Sequence, residues 1–350
     1  MQNILQRVMG DENFLGAFFQ TVIIIALGYF FRRKKIVDDS GKKIITSIVW
    51  KISVPCVAFN AFMQPFNRAN FITGLAELFA SFVLYAILVF FGRTIFFRRE
   101  KIQRTISGLF VAVGQTTLFS MPILLSVYDG RDKEVMIYIS SISIAFRIMV
   151  YVIGFYMISG ERFKLNQLSS SVKKIFCTPI MIGMFMGLFI WLFQDYTPQV
   201  QTKFGTYSIF RVDKTLSVLY MTVISLTKLL NPLSMFLIGM SVGEANFLTA
   251  VKDRDAWLIA LMRNFFAPVF VLVFAVILHR AGIMHFDEFS LVTLVIAFSA
   301  PVSVTLSMMC VQYKNHEILA SRACLISTAI TLISMPLMFV LSYAALNFLN

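Results

Sequence analysis

Acidic residues are scarce in this sequence. Only 18 of its 350 residues are Asp or Glu, against 31 Lys and Arg, and charged residues together make up 14% of the chain. A soluble domain carries roughly a quarter, so an ordinary water-facing surface is excluded. Histidine is almost missing: His279, His285 and His316 fall at the ends of apolar runs, a pattern that matches no triad or H-E-x-x-H metal-ligand spacing. The four cysteines, Cys56, Cys177, Cys310 and Cys324, show no C-x-x-C pattern, so they are expected to be free buried thiols rather than a zinc site or a disulfide framework. Dinucleotide fingerprint, P-loop and H-E-x-x-H are absent, and a serine hydrolase would need a histidine that no run interior supplies. No enzyme, cofactor or metal is expected.

What fills the chain instead is hydrophobic sequence, 58% of it. A hydrocarbon layer of about 30 Å takes roughly 20 apolar residues per spanning helix, and ten runs of about that length occur, near 13–31, 44–64, 71–92, 105–128, 135–159, 174–194, 217–242, 256–278, 287–312 and 319–348. They lack the two-residue alternation of a membrane barrel strand, and backbone in lipid must bond within its own segment, so helices are predicted. The stretch "MQNILQRVMGDEN" before the first run has one Arg and two acids. It predicts no cleavable signal, so the first run is expected to stay in the membrane.

The net charge of +13 does not point to nucleic acid, because of how it is distributed. Of the 31 Lys and Arg, 19 lie in or at the edges of the loops after the first, third, fifth, seventh and ninth runs. Eight lie in the alternate segments and four inside runs. This positive-inside bias, carried mainly by "RRKKIVDDSGKK" and "RREKIQR", predicts a multi-pass protein of the cytoplasmic membrane with both termini extracellular. The expected partners are the lipid bilayer and a small organic anion.

Among the nine prolines a pattern recurs. Pro55 in "KISVP" and Pro232 in "KLLNP" each follow a lysine by four residues, and Pro122 in "SMP" and Pro301 in "SAP" each follow a serine by two. The offsets are 232 minus 55, or 177, and 301 minus 122, or 179. A shift of nearly half the chain predicts that residues 1–160 (spans 1–5) recur as 161–350 (spans 6–10). An odd span count inverts the second copy, and inverted repeats with broken helices mark secondary transporters. The expected fold class is thus an all-α integral membrane protein with ten transmembrane helices as two inverted five-helix repeats, broken helices 4 and 9 crossing at their prolines.

The polar residues near those breaks are candidates for a binding site. They are Gln115, Thr116, Thr117 and Ser120 with Pro122, and, in "SAPVSVTLS", Pro301, Ser303 and Thr305, with Asn231 of "KLLNP" in addition. A helix that restarts in mid-membrane presents free N–H groups and a partial positive charge suited to an anion. Hydroxyls and an amide add hydrogen bonds without fixed charge. Four basic side chains fall within the runs and are functional candidates by their cost alone. Arg147 and Lys228 lie near the middle and are expected to compensate substrate charge. Lys51 and Arg263 lie nearer the ends, within reach of snorkelling. Glu77 is the candidate carboxylate for coupling or a salt bridge, alongside Lys51 and Arg263.

"ALGYFFRRKKIVDDSGKKI", "VPCVAFNAF", "GQTTLFSMPILLSVYDG", "NPLSMFLIGMSVG", "RNFFAPVF" and "SAPVSVTLSMMCVQY", in this order from about residue 20 to 340, resemble the auxin efflux carrier family, with its plant auxin exporters and bacterial malate-permease-like members. The resemblance implies the fold of sodium/proton antiporters and bile-acid symporters. It implies a scaffold part (spans 1, 2, 6 and 7), a transport part (spans 3–5 and 8–10), elevator-type alternating access and a homodimer. It also implies that Gln115 stands where the exporters carry a carboxylate-binding Asn. The plant members' long loop after span 5 is reduced here to "GERFKLNQLSSSVKK", which is closer to the bacterial type. The expected function is secondary transport of a small organic anion, a dicarboxylate such as malate. Export of an aromatic monocarboxylate, or a sensor that binds without transport, are the alternatives.

Overall fold

The computed structural model describes residues 12–128, 132–159, 179–202, 205–244 and 250–346. The loop 160–174 and Cys177 lie outside them. Among the described residues the chain is almost wholly helical, with one short hairpin of strands β1 (Gln199–Thr202) and β2 (Gly205–Ser208), paired antiparallel.

Helices begin where the sequence supplies a cap for free N–H groups. Asp38 accepts from the Gly41 amide at 2.8 Å to open α2 (Asp39–Ile48), with α1 (Glu12–Arg33) before it. That bond and the Ser40 hydroxyl hold the Asp38 carboxyl below the usual carboxylate range. Asn67 caps α4 (Arg68–Ile95), which follows α3 (Val54–Asn60). Next come α5 (Lys101–Ala112), α6 (Met121–Val127), α7 (Asp132–Ile148), α8 (Phe155–Ser159) and α9 (Pro179–Phe193). After the hairpin come α10 (Val212–Thr215), α11 (Ser217–Lys228) and α12 (Leu230–Glu244). Asp253 caps α13 (Arg254–Leu261), which leads through a wide turn to α14 (Ala267–Arg280). Asp287 and Ser290 cap α15 (Glu288–Phe298) reciprocally, and α16 (Val304–Gln312) and α17 (Glu317–Leu346) complete the chain.

Three prolines act through one device. The segments Val49–Ser53, Thr116–Ser120 and Met262–Phe266 are π-helical turns, and each runs directly into a helix whose second residue is proline: Pro55, Pro122 and Pro268. Proline lacks an N–H and its ring crowds the carbonyl four residues back. A wider turn there relieves the clash while the chain stays helical. A fourth such turn, Met149–Gly154, has no proline and joins α7 to α8.

These interruptions correct the expected fold class. Ten spanning helices were expected, but among the described residues five are long and apolar enough to cross a membrane: Asp39–Asn60, Arg68–Ile95, Ser217–Gly243, Arg254–Arg280 and Glu317–Leu346. The runs at 105–128 and 287–312 are each cut into short helices, and the run at 174–194 yields the 15-residue α9. Hydropathy counts apolar residues and is blind to a broken backbone. Nor is an inverted pair of five-helix repeats established, since the matched prolines sit in unlike structure. Pro55 follows a π turn whereas Pro232 lies near the start of α12, and Pro122 opens α6 whereas Pro301 lies in a non-helical stretch. The protein is an all-α membrane protein, and large apolar side chains such as Phe79, Phe90, Val273, Ile277 and Ile333 are exposed on its helices.

The packing centres on α15, whose residues 290–298 are all buried among α4, α7, α14 and α17. Elsewhere, helices meet through glycine. A Cβ at Gly239 of α12 would overlap the Ile25 carbonyl of α1, and one at Gly28 would overlap the Phe236 carbonyl. Gly183 and Gly187 likewise set α9 against the Pro55 and Phe59 carbonyls of α3. In lipid, where apolar side chains gain little by leaving their surroundings, such close backbone contact is a main source of helix association. Gly239→Leu is therefore expected to destabilise the α1–α12 pair by about 1–3 kcal/mol, as overpacking does. It should lower the melting temperature of the purified protein in detergent, whereas Gly16→Leu, which meets nothing within 4 Å, should leave it unchanged.

Candidate functional site

Helix α5 ends at Val113, which is extended, and Gly114 and Gln115 lead into the π turn before α6. On the far side, α15 ends at Ser299, and residues 300–303 are non-helical before α16 begins. The two interruptions meet. Gly114 and Val302 form an antiparallel bridge, with the Gln115 amide donating to the Pro301 carbonyl at 2.7 Å and the Ser303 amide to the Val113 carbonyl at 3.2 Å. Gly114, Gln115, Thr116, Pro301, Val302 and Ser303 are all buried. Each break thus satisfies backbone groups that the other has freed, which buried polar groups require.

Arg263 completes the junction. Fully buried in the π turn before α14, it donates from Nε to the Ala300 carbonyl at 2.8 Å, and from one terminal nitrogen to the carbonyls of Ala112 at 2.6 Å and Val111 at 3.3 Å. Its guanidinium lies 6.0 Å from the centre of the Phe298 ring. A side chain at position 114 would collide with this guanidinium and with the Ala300 carbonyl, which accounts for the glycine. The neighbouring Asn264 holds the same junction through α17. Its Oδ1 accepts from the Ser327 hydroxyl at 2.6 Å, and that hydroxyl accepts from the Val302 amide at 3.0 Å. The Asn264 amide donates to the Ser327 carbonyl at 2.9 Å, to the Thr331 hydroxyl and to the Ser334 hydroxyl.

Of the residues singled out in the sequence, the junction brings together Gln115 and Ser303, whose hydroxyl donates to Gln115 Oε1 at 3.4 Å, and Pro301. The Thr116 and Ser120 hydroxyls turn to the α15 carbonyls of Ala297 at 3.4 Å and Ile296 at 2.6 Å. Thr117 is buried with its hydroxyl unpartnered among the described residues, Pro122 is buried in the first turn of α6, and Thr305 is half-buried in α16. Lys51 and Lys228 are exposed, away from the junction, and Glu77 is buried on α4. Asn231 lies on α12, and its side chain is outside the described residues.

Arg147 is placed apart, beside a cavity of about 10 Å³ between α3, α6, α7 and α9, room for about one water. Ser140 and Ser143 on the same face of α7 also line it, both with buried hydroxyls lacking a hydrogen-bond partner among the described residues. The rest of the lining is Ala58, Met121, Ile144, Ile180, Met181 and Met184. The Arg147 guanidinium sits 5.5 Å from the centre of a Trp50 ring. Met121, the first residue of α6 after the π turn, is the lining residue next to the junction in sequence.

Sequence reasoning missed the Asn264 network and the two serines of the cavity. Each had a visible signal. Ser327, Thr331 and Ser334 recur at helical spacing, as do Ser140, Ser143 and Arg147, so each trio shares one helix face. Among the described residues no three His, Cys, Asp or Glu side chains gather as metal ligands.

A family model described as membrane transport protein matches residues 14–339, nearly the whole chain. No curated protein matches the chain significantly. The chain belongs to that family, which accords broadly with its resemblance to auxin efflux carriers.

The junction yields a prediction that does not depend on substrate. Arg263→Met leaves carbonyls at 111, 112 and 300 without their donor, and each buried carbonyl so orphaned costs about 1–3 kcal/mol. Hydrogen exchange followed by mass spectrometry should speed up at 112–116 and 300–303 in this variant, with residues 70–90 of α4 unaffected. Unchanged exchange at the junction would remove Arg263 from its support.

Proposed function

We propose that this membrane transport protein carries a small organic monocarboxylate with an apolar, aromatic-sized body. Its carboxylate would be held by Arg147, Ser140 and Ser143, and its body by the Met and Ile side chains that face them. The observation that carries this is the charge allotment around the cavity. Among the described residues, Arg147 is the one buried cation lining it. Arg263 is committed to backbone carbonyls, and Lys51 and Lys228 are exposed. One guanidinium matches one carboxylate, and in a low-dielectric site a second, unmatched negative charge is heavily penalised.

Six of the nine lining residues are apolar, which suits a hydrophobic body. The cavity as it stands admits only about one water, so transport requires the lining helices to part and close again, as alternating access demands. The junction at 113–116 and 300–303, with Gln115 and Ser303 in it, then anchors the start of α6, whose first residue Met121 lines the cavity. A dicarboxylate such as malate is the second reading, and it would need a cation that the cavity lacks. A sensor would bind the same ligand without moving it.

A flux panel in proteoliposomes tests this. Radiolabelled indole-3-acetate and benzoate should be taken up and should compete with each other, with malate a weak competitor at best. Arg147→Gln should weaken monocarboxylate affinity at least tenfold, a loss of about 1.4 kcal/mol, while surface expression holds. Malate flux with no monocarboxylate flux would invert the ranking. Binding of indole-3-acetate without flux would leave a sensor.

A further inference from the structure

Among the described residues the carboxyl of Glu77 has no counter-ion. It is fully buried on α4, and neither of its oxygens has a hydrogen-bond partner among the described residues. Its surroundings share the condition. Ser81, one turn further along the same face, and Thr293 of α15, the helix against which α4 lays Tyr85 on Phe298 at 4.7 Å, both bury hydroxyls without partners.

Among the described residues, the groups that bear on Glu77 from the neighbouring helices include no cation. From α7 come Tyr138, whose hydroxyl donates to Asn70 of α4 at 3.3 Å, and the half-buried Glu134. At the start of α15 stands Asp287, exposed and of the same sign. On α4 itself the ionisable side chains nearest in sequence are Arg68, exposed at the helix start, and Tyr85, two turns on. Helix α5 meets α4 at Gly92 and Gly108, far along from Glu77. A carboxylate placed there would be a naked charge with only acids for company, at a cost far above the few kcal/mol of a buried neutral polar group.

We propose that Glu77 is a proton-binding site. The acid is neutral in this closed conformation, and it exchanges its proton when transport motion opens α4 and α7 toward the end where Asp287 and Glu134 stand. The step is a simple protonation, carboxylate plus proton giving carboxylic acid, with no other reactant. Glu77 lies nine residues past Arg68, about 14 Å along a helix that rises 1.5 Å per residue. That depth leaves water reach only after the packing loosens. This inference rests on the transport reading above and adds what drives it: a carboxylate at Arg147 and a proton at Glu77 carried together, so that a proton gradient powers accumulation of the acid.

Two measurements test it. The first uses the wild-type protein and involves no substrate: dicyclohexylcarbodiimide, which reaches membrane-buried carboxyls and reacts only with their protonated form, should modify Glu77 at neutral pH, as located by peptide mass spectrometry. An unmodified Glu77 overturns the proposal whether or not the substrate is right. The second uses proteoliposomes with radiolabelled indole-3-acetate. Glu77→Gln, a fixed mimic of the protonated form, should keep counterflow exchange but lose all accumulation driven by an inward proton gradient, and Glu77→Asp should restore part of it. Gradient-driven accumulation unchanged in Glu77→Gln overturns the coupling. Absence of indole-3-acetate flux in the wild type defeats the transport reading instead, and leaves the carbodiimide result to decide the proton site.

Discussion

The structure depends on two broken helices repairing each other. A chain interrupted inside hydrocarbon frees amides and carbonyls that water cannot reach, and unpaired groups of that kind cost several kcal/mol each. Here the break after Ala112 and the break after Phe298 lie side by side and exchange two backbone hydrogen bonds. Neither stretch would be tolerable alone. The remaining carbonyls exceed what two short extended segments can satisfy, so a guanidinium, with five donors in a rigid fork, is brought in from the turn before α14. Gly114 follows from the need to admit that guanidinium. The Asn264, Ser327, Thr331 and Ser334 network follows from the need to hold the arginine's own turn against α17.

Two buried arginines therefore do different work. Arg263 faces carbonyl oxygens and an aromatic ring and has its donors occupied by the fold. Arg147 faces a cavity whose other polar lining is two serine hydroxyls. Position in the sequence does not distinguish them, since both fall inside apolar runs. What separates them is their surroundings: backbone carbonyls for Arg263, a cavity wall for Arg147. In the proposed function it is therefore the cavity, rather than the junction, that meets the anion's charge, and a single charge is the one it suits.

Much of this was visible in the residues, and what was not has a physical cause. The polar cluster from Gln115 to Ser120 announced a broken helix because hydroxyls, an amide and a proline make poor company for lipid. Glu77 and Arg147 announced themselves as buried charges in apolar runs. The count of spans failed because apolarity is a property of side chains and helical continuity one of backbone. Gly114 and the stretch 300–303 cost two runs their continuity without lowering their hydropathy. The half-chain repeat is not established for a related reason, in that a shared serine-x-proline spacing leaves open whether the proline starts a helix, as Pro122 does, or precedes one, as Pro301 does. Arg263 was expected within snorkelling reach of the surface. It stays inside because three carbonyls freed by the breaks outbid water for its donors. Lys228, deep in its run by residue count, is exposed because depth along a helix says nothing of which face a residue occupies.

In the proposed reading, helix α7 ties the anion site to the proton site. Residues Ser140, Ser143, Ile144 and Arg147 line the cavity, while Ile137, Tyr138 and Ser141 meet α4 at Gly74 and Asn70, one turn and two turns before Glu77. These are two faces of one helix, and at its end the chain passes into a π turn, a type of turn often found where a helix bends or serves function. A carboxylate drawn to Arg147 pulls on the first face, and a charge left on Glu77 by loss of its proton strains the second. Anion and proton bound together leave neither Arg147 of α7 nor Glu77 of α4 with an uncompensated charge, whereas either alone leaves one uncompensated in a low-dielectric interior. The fully loaded state is thus the one in which α7 can shift past α4 at least cost, which favours anion and proton moving together, and it follows from one side chain on α7 and one on the helix packed against it, without any direct contact between them.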